Sequence, residues 1–274
     1  MTAAQALRRA PALAPAEARA LLAFVLALPR ETLVAHPDTA VPAAAAERFA
    51  ELAAQRSAGV PMAYLVGEQE FHGHRFAVTP DVLIPRPDTE LLVDTALEVL
   101  AARPGAAVLE LATGSGCIAI ALQLARPDLR VVATDRSTAA LAVAQANAAR
   151  LGARVHWIAA DWFAPLQGRF DLVLANPPYV AAGDPHLRAL EHEPRAALTD
   201  EGDGLGALRA IIRAAPPVLA PGGVLLLEHG YDQGAAVRAL MGAQGYGEVV
   251  TLRDLAGHER AVRGCRPAAG QSAG

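Results

Sequence analysis

The sequence predicts an α/β fold, a mainly parallel sheet with helices on both faces, preceded by a small helical domain. Three observations carry this expectation. From about residue 89, short apolar runs of strand length alternate with longer segments of helical periodicity, the pattern of successive βαβ units. Those short runs are apolar almost throughout, as strands covered on both faces are. Up to about Gly59 the periodicity is helical only, so the two parts differ in kind.

Taken in order, Ala16 to Leu28 and Ala43 to Gln55 place apolar residues at helical spacing, with Pro29 and Pro42 as punctuation. Around Gly73 the period shifts to alternation, from Glu70 to Val78, as in a short hairpin. Pro85-Arg86-Pro87-Asp88 stops that strand, and Asp88 or Thr89 is placed to cap a helix beginning at Glu90. Strands are expected at Val108–Leu111, Val131–Thr134, Val155–Ala159, Leu172–Ala175 and Val224–Leu227. Helices are expected at Leu91–Ala102, Ile118–Ala125, Thr138–Arg150 and Leu205–Ala215. The implied divisions are a helical domain at 1–66, a hairpin linker at 67–88, the sheet domain at 89–265 and a flexible tail at 266–274.

Composition narrows the class. Of 274 residues 53% are hydrophobic and 4% aromatic, so an Ala-rich, helix-rich core is readily formed. Net charge is −4 and all 24 basic residues are Arg, which does not advertise a surface for long nucleic acids. Cys117 and Cys265 stand far apart without metal or disulfide spacing, fitting a reducing cytoplasm. The longest apolar run, Ala20 to Leu28, is too short to span a bilayer, and the Pro29-Arg30-Glu31 that follows is no signal cleavage site. His72/His74 and His186/His192 lack supporting carboxylates or thiols, so no metal is expected.

Ligands of open parallel sheets sit at the carboxyl ends of the strands. The first expected strand there runs into Ala112-Thr113-Gly114-Ser115-Gly116 and then a helix. Glycines at such a turn let backbone approach a ligand, and the helix N-terminus adds free N–H groups. Gly114, Gly116 and Ala119 also satisfy the dinucleotide pattern, so a nicotinamide cofactor and S-adenosylmethionine remain alternatives at this point. Asp135, about 20 residues further on, suits ribose hydroxyls of either, with helix capping before Ser137 as the plainer role. Asp161-Trp162 offers an acceptor and a flat ring for an adenine, or simply a buried indole.

The next strand empties into Asn176-Pro177-Pro178-Tyr179. A conjugated nitrogen is a poor nucleophile because its lone pair is delocalised. The Asn176 side-chain oxygen and the Pro177 carbonyl can accept its two N–H bonds and aim the lone pair at an electrophilic methyl. The two prolines stiffen the backbone, and Tyr179 offers a flat face. A proline-rich strand end is the bland alternative, but nicotinamide chemistry has no use for this constellation, so methyl transfer to a planar NH2 group is expected. His229 precedes Gly230 and supports the cleft rather than reacting. Glu191, Glu193 and Arg195 suit either a lid or a solvated stretch.

From about residue 61 to 263 the chain resembles the release-factor glutamine methyltransferases, the HemK/PrmC type. The resemblance runs through Ala63-Tyr64-Leu65-Val66-Gly67, Glu70-Phe71, Leu83-Ile84-Pro85-Arg86-Pro87-Asp88-Thr89-Glu90, the glycine turn and Asp161-Trp162-Phe163. It continues through Asn176–Val180 and Leu227-Glu228-His229-Gly230. The Asn-Pro-Pro-Tyr motif is shared with DNA adenine and rRNA guanine methyltransferases, the alternative substrates; the Ile-Pro-Arg-Pro segment is more selective.

The resemblance implies a Rossmann-like class I S-adenosylmethionine-dependent methyltransferase sheet of seven strands, the last two near Glu248–Leu252 and Arg260–Gly264 and antiparallel. It implies that Ala112 to Gly116, Asp135, Asp161, Trp162 and Asn176 hold the cofactor. It implies that Asn176, Pro177, Pro178 and Tyr179 hold the glutamine of the Gly-Gly-Gln loop in class-1 peptide release factors; the acidic charge and the short apolar run add the expectation of no direct nucleic-acid or membrane partner. Glu110-Leu111-Ala112 stands where the family usually has Asp-Leu-Gly: Ala disfavours positive φ, and Glu lengthens the acid's reach.

Overall fold

A computed structural model describes residues 1–164 and 166–266, which divide after Glu68 into two compact units. The first holds α1 (Ala3–Leu7), α2 (Pro15–Leu26), α3 (Arg30–Ala35), α4 (Ala43–Ser57) and α5 (Met62–Val66). Proline opens most of them: Pro15 is the first helical residue of α2, and Pro29, Pro42 and Pro61 precede α3, α4 and α5. Leu21, Leu22, Phe49 and Leu52 form their core. Only α2 and α4 are expected from periodicity; the others are too short to show one.

The hairpin β1 (Glu68–Phe71) and β2 (His74–Ala77) turns on His72 and Gly73, both at positive φ, +48° and +76°. Phe71 and Phe76 are fully buried in the core of the second unit. A 3-10 turn at Pro87–Thr89 leads into α6 (Glu90–Val99). Neither Asp88 nor Thr89 caps that helix as expected. Thr89 is itself helical with no capping bond, and Asp88 pairs with Arg260 at 3.1 Å.

There follow β3 (Ala107–Leu111), α7 (Cys117–Ala125), β4 (Arg130–Asp135), α8 (Thr138–Leu151), β5 (Val155–Ala159), β6 (Phe170–Ala175), α9 (Arg195–Leu198) and α10 (Gly206–Ala214). The chain ends with β7 (Leu219–Glu228), α11 (Gly234–Ala243), β8 (Gly247–Arg253) and β9 (Glu259–Cys265). One seven-stranded sheet results, ordered β5-β4-β3-β6-β7-β9-β8. The pairs from β5 to β7 are parallel, and β9 lies antiparallel between β7 and β8. Separate apolar layers cover the two faces of the sheet, which is why its central strands are apolar without alternation.

The chain runs outward from β3 to β5 and returns to β6, so the topological switch lies between β3 and β6. The register there pairs Leu111 with Ala175, and Ala175 with Leu227. Ala112 and Asn176 therefore leave the sheet beside Glu228, the last residue of β7. Arg266, expected in the flexible tail, bonds through its N–H to the Gly223 carbonyl 2.8 Å away. The remainder of that expected tail, 267–274, lies outside the described residues. Among the described residues no helix is long and apolar enough to cross a membrane.

Candidate active site

At the switch point the sheet opens into a cavity of about 680 Å³, within the size range of small-molecule sites. Ala112, Thr113, Gly114, Ser115, Asp135, Asp161, Trp162, Asn176 and Pro178 all line it. Gly116, Pro177 and Tyr179 do not. Gly116 stands behind the wall with φ +80°, where an added Cβ would come within 3.0 Å of Ala144, Ile120 and Trp157.

The glycine turn is held by acids at its base. Asp135 accepts from the Gly114 N–H at 2.9 Å and from the Ser137 N–H at 2.8 Å. Ser137 itself caps α8 through Ala140, so Asp135 organises the turn ahead of the helix. Gly116 has no side chain with which to cap α7. Glu110 does this from within the core, accepting from the Ala119 N–H at 3.0 Å and the Thr113 hydroxyl at 2.6 Å. Its length beyond an Asp is used in that reach. Glu110 is 1% exposed, and burial pushes its pKa up to about 8, the two hydrogen bonds opposing the rise.

Ala112 adopts φ +54°, the left-handed region that an L side chain enters at a cost of about 1–2 kcal/mol. Glycine would enter it freely. Trp162 is in the same region, φ +51°, which turns its indole into the cavity wall after β5.

The Asn176 turn rests on a buried polar group of residues. Asn176 donates from Nδ2 to the Thr89 hydroxyl at 3.1 Å. Tyr179, expected to present a flat face, instead donates its hydroxyl to Glu228 Oε1 at 3.1 Å and packs its ring against an apolar layer. Burial raises its pKa. Glu228 is 1% exposed, and burial lifts its pKa to about 7 against the pull of Thr89, Tyr179 and Arg260. His229 is buried with Nδ1 2.7 Å from the Gly230 carbonyl oxygen, and burial lowers its pKa, so it is a neutral supporting group.

Two side chains fasten the surrounding loops. Glu193 is buried, accepts from the Ile84 N–H at 3.0 Å and pairs with Arg86. That pairing binds the segment after the Asn176 turn to the Ile-Pro-Arg-Pro segment. Gln233 donates to the Tyr179 carbonyl at 2.9 Å and the Gly204 carbonyl at 3.3 Å, and accepts from the Gly230 N–H at 2.8 Å. Glu191 and Arg195 are exposed, so only Glu193 of that trio holds the loop inward.

Asn147 also escapes the sequence reading. It is fully buried, donates to the Ser115 and Ala77 carbonyls at 3.0 Å each, and accepts from the Ala77 N–H. A lone Asn among the alanines of α8 was the available sign.

Residues 1–67 match the PrmC N-terminal domain model and residues 88–203 the methyltransferase small domain model. The release factor glutamine methyltransferase of Bordetella pertussis is 54% identical, over 91% of this chain and 94% of its own. The chain belongs to the release factor glutamine methyltransferase family. The family's Burkholderia pseudomallei member is 50% identical, over 97% of this chain and 96% of its own. A methyltransferase structure from Pyrococcus furiosus, 16% identical, shares the fold with TM-score 0.55, over 78% of this chain and 99% of that one. Membership makes the protein a methyltransferase.

Relieving the strain at Ala112 by Ala112→Gly should raise stability by roughly 1 kcal/mol, since glycine's own chain entropy offsets part of the gain. A shift of the urea midpoint at constant m measures it. Glu110 keeps its proton in the folded chain up to about pH 8 but loses it near 4.5 when unfolded. Stability of the ligand-free protein should therefore fall as pH rises through that window. Thermal midpoints across the range should decline in the wild type and decline less in Glu110→Gln.

Proposed function

We propose that the protein transfers a methyl group from S-adenosylmethionine to the side-chain amide nitrogen of the glutamine in the Gly-Gly-Gln motif of class-1 peptide release factors. One observation carries the reading: Asn176 stands at the end of β6 on the cavity wall, its Nδ2 engaged by Thr89. That engagement commits the amide N–H side to the protein and leaves Oδ1 as the acceptor for a ligand.

The residues present fit the cofactor. Asp135 and Asp161 are acceptors on the wall for hydroxyl and amino groups, and Trp162 supplies an apolar ring on the same wall. The glycine turn offers backbone to a ligand's polar end beside the N-terminus of α7. When bound, S-adenosylmethionine supplies an electrophilic methyl carbon on a sulfonium.

The chain's own work is then positioning. Asn176 Oδ1 and the Pro177 carbonyl accept the two N–H bonds of the glutamine amide and hold its nitrogen in line with the methyl donor. Holding of this kind contributes up to about 7–11 kcal/mol in favourable cases. Both acceptors also favour positive charge developing on that nitrogen. The nitrogen loses a proton after alkylation, so no strong base is required beforehand. Pro178 and its neighbour restrict the turn so that the acceptors stay fixed.

Mass spectrometry of a class-1 release factor incubated with the protein and S-adenosylmethionine should show one added methyl on the Gly-Gly-Gln glutamine. Modification of DNA or rRNA in its place would reject this substrate. Asn176→Ala should lower turnover by about 100-fold or more with much of the cofactor binding retained; near-wild-type turnover contradicts the role. Asp135→Ala should weaken cofactor binding by calorimetry, and an unchanged affinity rules out a ribose contact.

A further inference from the structure

The side-chain amide of Asn147, fully buried on α8, has its orientation set by one neighbour and spends its remaining bond on another. Its Oδ1 accepts from the Ala77 N–H at 2.7 Å, and its Nδ2 donates to the Ala77 carbonyl at 3.0 Å. The backbone of that one residue therefore fixes which end of the amide is oxygen. Arg150, on the next turn of α8, donates to Oδ1 as well, at 3.2 Å. The second N–H of Nδ2 has one direction left, and it ends on the Ser115 carbonyl at 3.0 Å. Both donors and both acceptor sites of the group are used.

Ser115 lines the cavity and Asn147 does not. The bond between them therefore draws the Ser115 carbonyl oxygen away from the cavity and into the core. The other end of the same peptide unit, the Gly116 N–H, donates to the Thr113 carbonyl at 2.9 Å. Gly116, at φ +80°, lacks the Cβ that would resist rotation of that peptide. A Cβ there would come within 3.0 Å of Ala144, one turn before Asn147, so the turn is seated on a single face of α8. Without Asn147 only the Thr113 bond holds the peptide, and turning it over presents the Ser115 oxygen to the cavity.

We propose that Asn147 is a positioning residue for S-adenosylmethionine, holding the Ser115–Gly116 peptide with its oxygen turned from the cofactor's amino-acid tail. That tail ends in a carboxylate, which a carbonyl oxygen facing it repels. The adenosine half falls to Asp135, Asp161 and Trp162, other residues of the wall, and does not depend on this peptide. Asn147 thus acts on recognition of the tail and not of the nucleoside. The role rests on the proposed assignment of the glycine turn to the cofactor, and is independent of which substrate receives the methyl group.

Calorimetry with two thioethers separates the halves of the ligand: S-adenosylhomocysteine carries the amino-acid tail, and methylthioadenosine lacks it. Asn147→Asp keeps the shape of the side chain and its acceptors but sets a carboxylate oxygen against the Ser115 carbonyl, driving the peptide over. Affinity for S-adenosylhomocysteine should fall by about tenfold or more, while that for methylthioadenosine stays within about twofold of the wild type. Asn147→Ser removes the bond without burying a charge, and should show the same selective loss at smaller size. Leu151→Ala, which trims a core contact at the end of the same helix, should lower stability and leave both affinities as they are. Equal losses for the two ligands, or an unchanged affinity for S-adenosylhomocysteine in both Asn147 variants, overturn the role. A wild type that binds the two thioethers equally tightly rejects the glycine turn as the seat of the tail, and the role with it. Selective loss in a protein that leaves the release-factor glutamine unmethylated supports the role and rejects only the proposed substrate.

Discussion

The register of three parallel strands is the constraint from which the site follows. Because Leu111 lies beside Ala175, and Ala175 beside Leu227, the chain leaves β3, β6 and β7 at one level. Just beyond β3 and β6 come a left-handed turn and an amide, beside the buried acid that ends β7. A slip of one residue in any of the three strands would swap its side chains between the two apolar layers and break the packing of both. The two apolar layers that forbid such a slip are thus what hold Ala112, Asn176 and Glu228 adjacent.

The site also carries unusual acids. Glu110 and Glu228 are each 1% exposed, one at the base of each of two turns. An acid buried in that way costs stability when ionised, and hydrogen bonds offset only part of it. Both face backbone or hydroxyl donors that need a carboxylate's geometry: Ala119 and Thr113 in one case, Tyr179 and Thr89 in the other. The local arrangement around the cavity is therefore maintained against the preference of the fold as a whole.

How much of this could be read from the sequence depended on the range of the interaction. The alternation of strands and helices, the glycine turn and the proline-rich strand end are local patterns, and the sheet has the strands expected of them. The antiparallel end of the sheet came through resemblance alone, since β8 and β9 mix charged and apolar residues and lack the continuous apolar runs of the inner strands. Asn147 to Ala77, Gln233 to Tyr179 and Glu193 to Ile84 join distant parts of the chain, and no spacing announces them. Thr89 looked like a helix cap because its sequence context is that of one; a 3-10 entry freed its hydroxyl for Asn176. Tyr179 was read only as a flat face for a planar group because its hydroxyl's partner, Glu228, lies on another strand.

The side chain of Gln233 knots three loops together through one amide. Gly204, at φ +78°, approaches so closely that a Cβ there would lie 2.3 Å from the Tyr179 carbonyl oxygen. The stretch between Thr199 and Gly206 therefore has no slack, and lengthening it to graft new recognition would drag the Asn176 turn along. The β8–β9 tip is different: Leu255 stands wholly in solvent there, and added residues would leave the chemistry where it is.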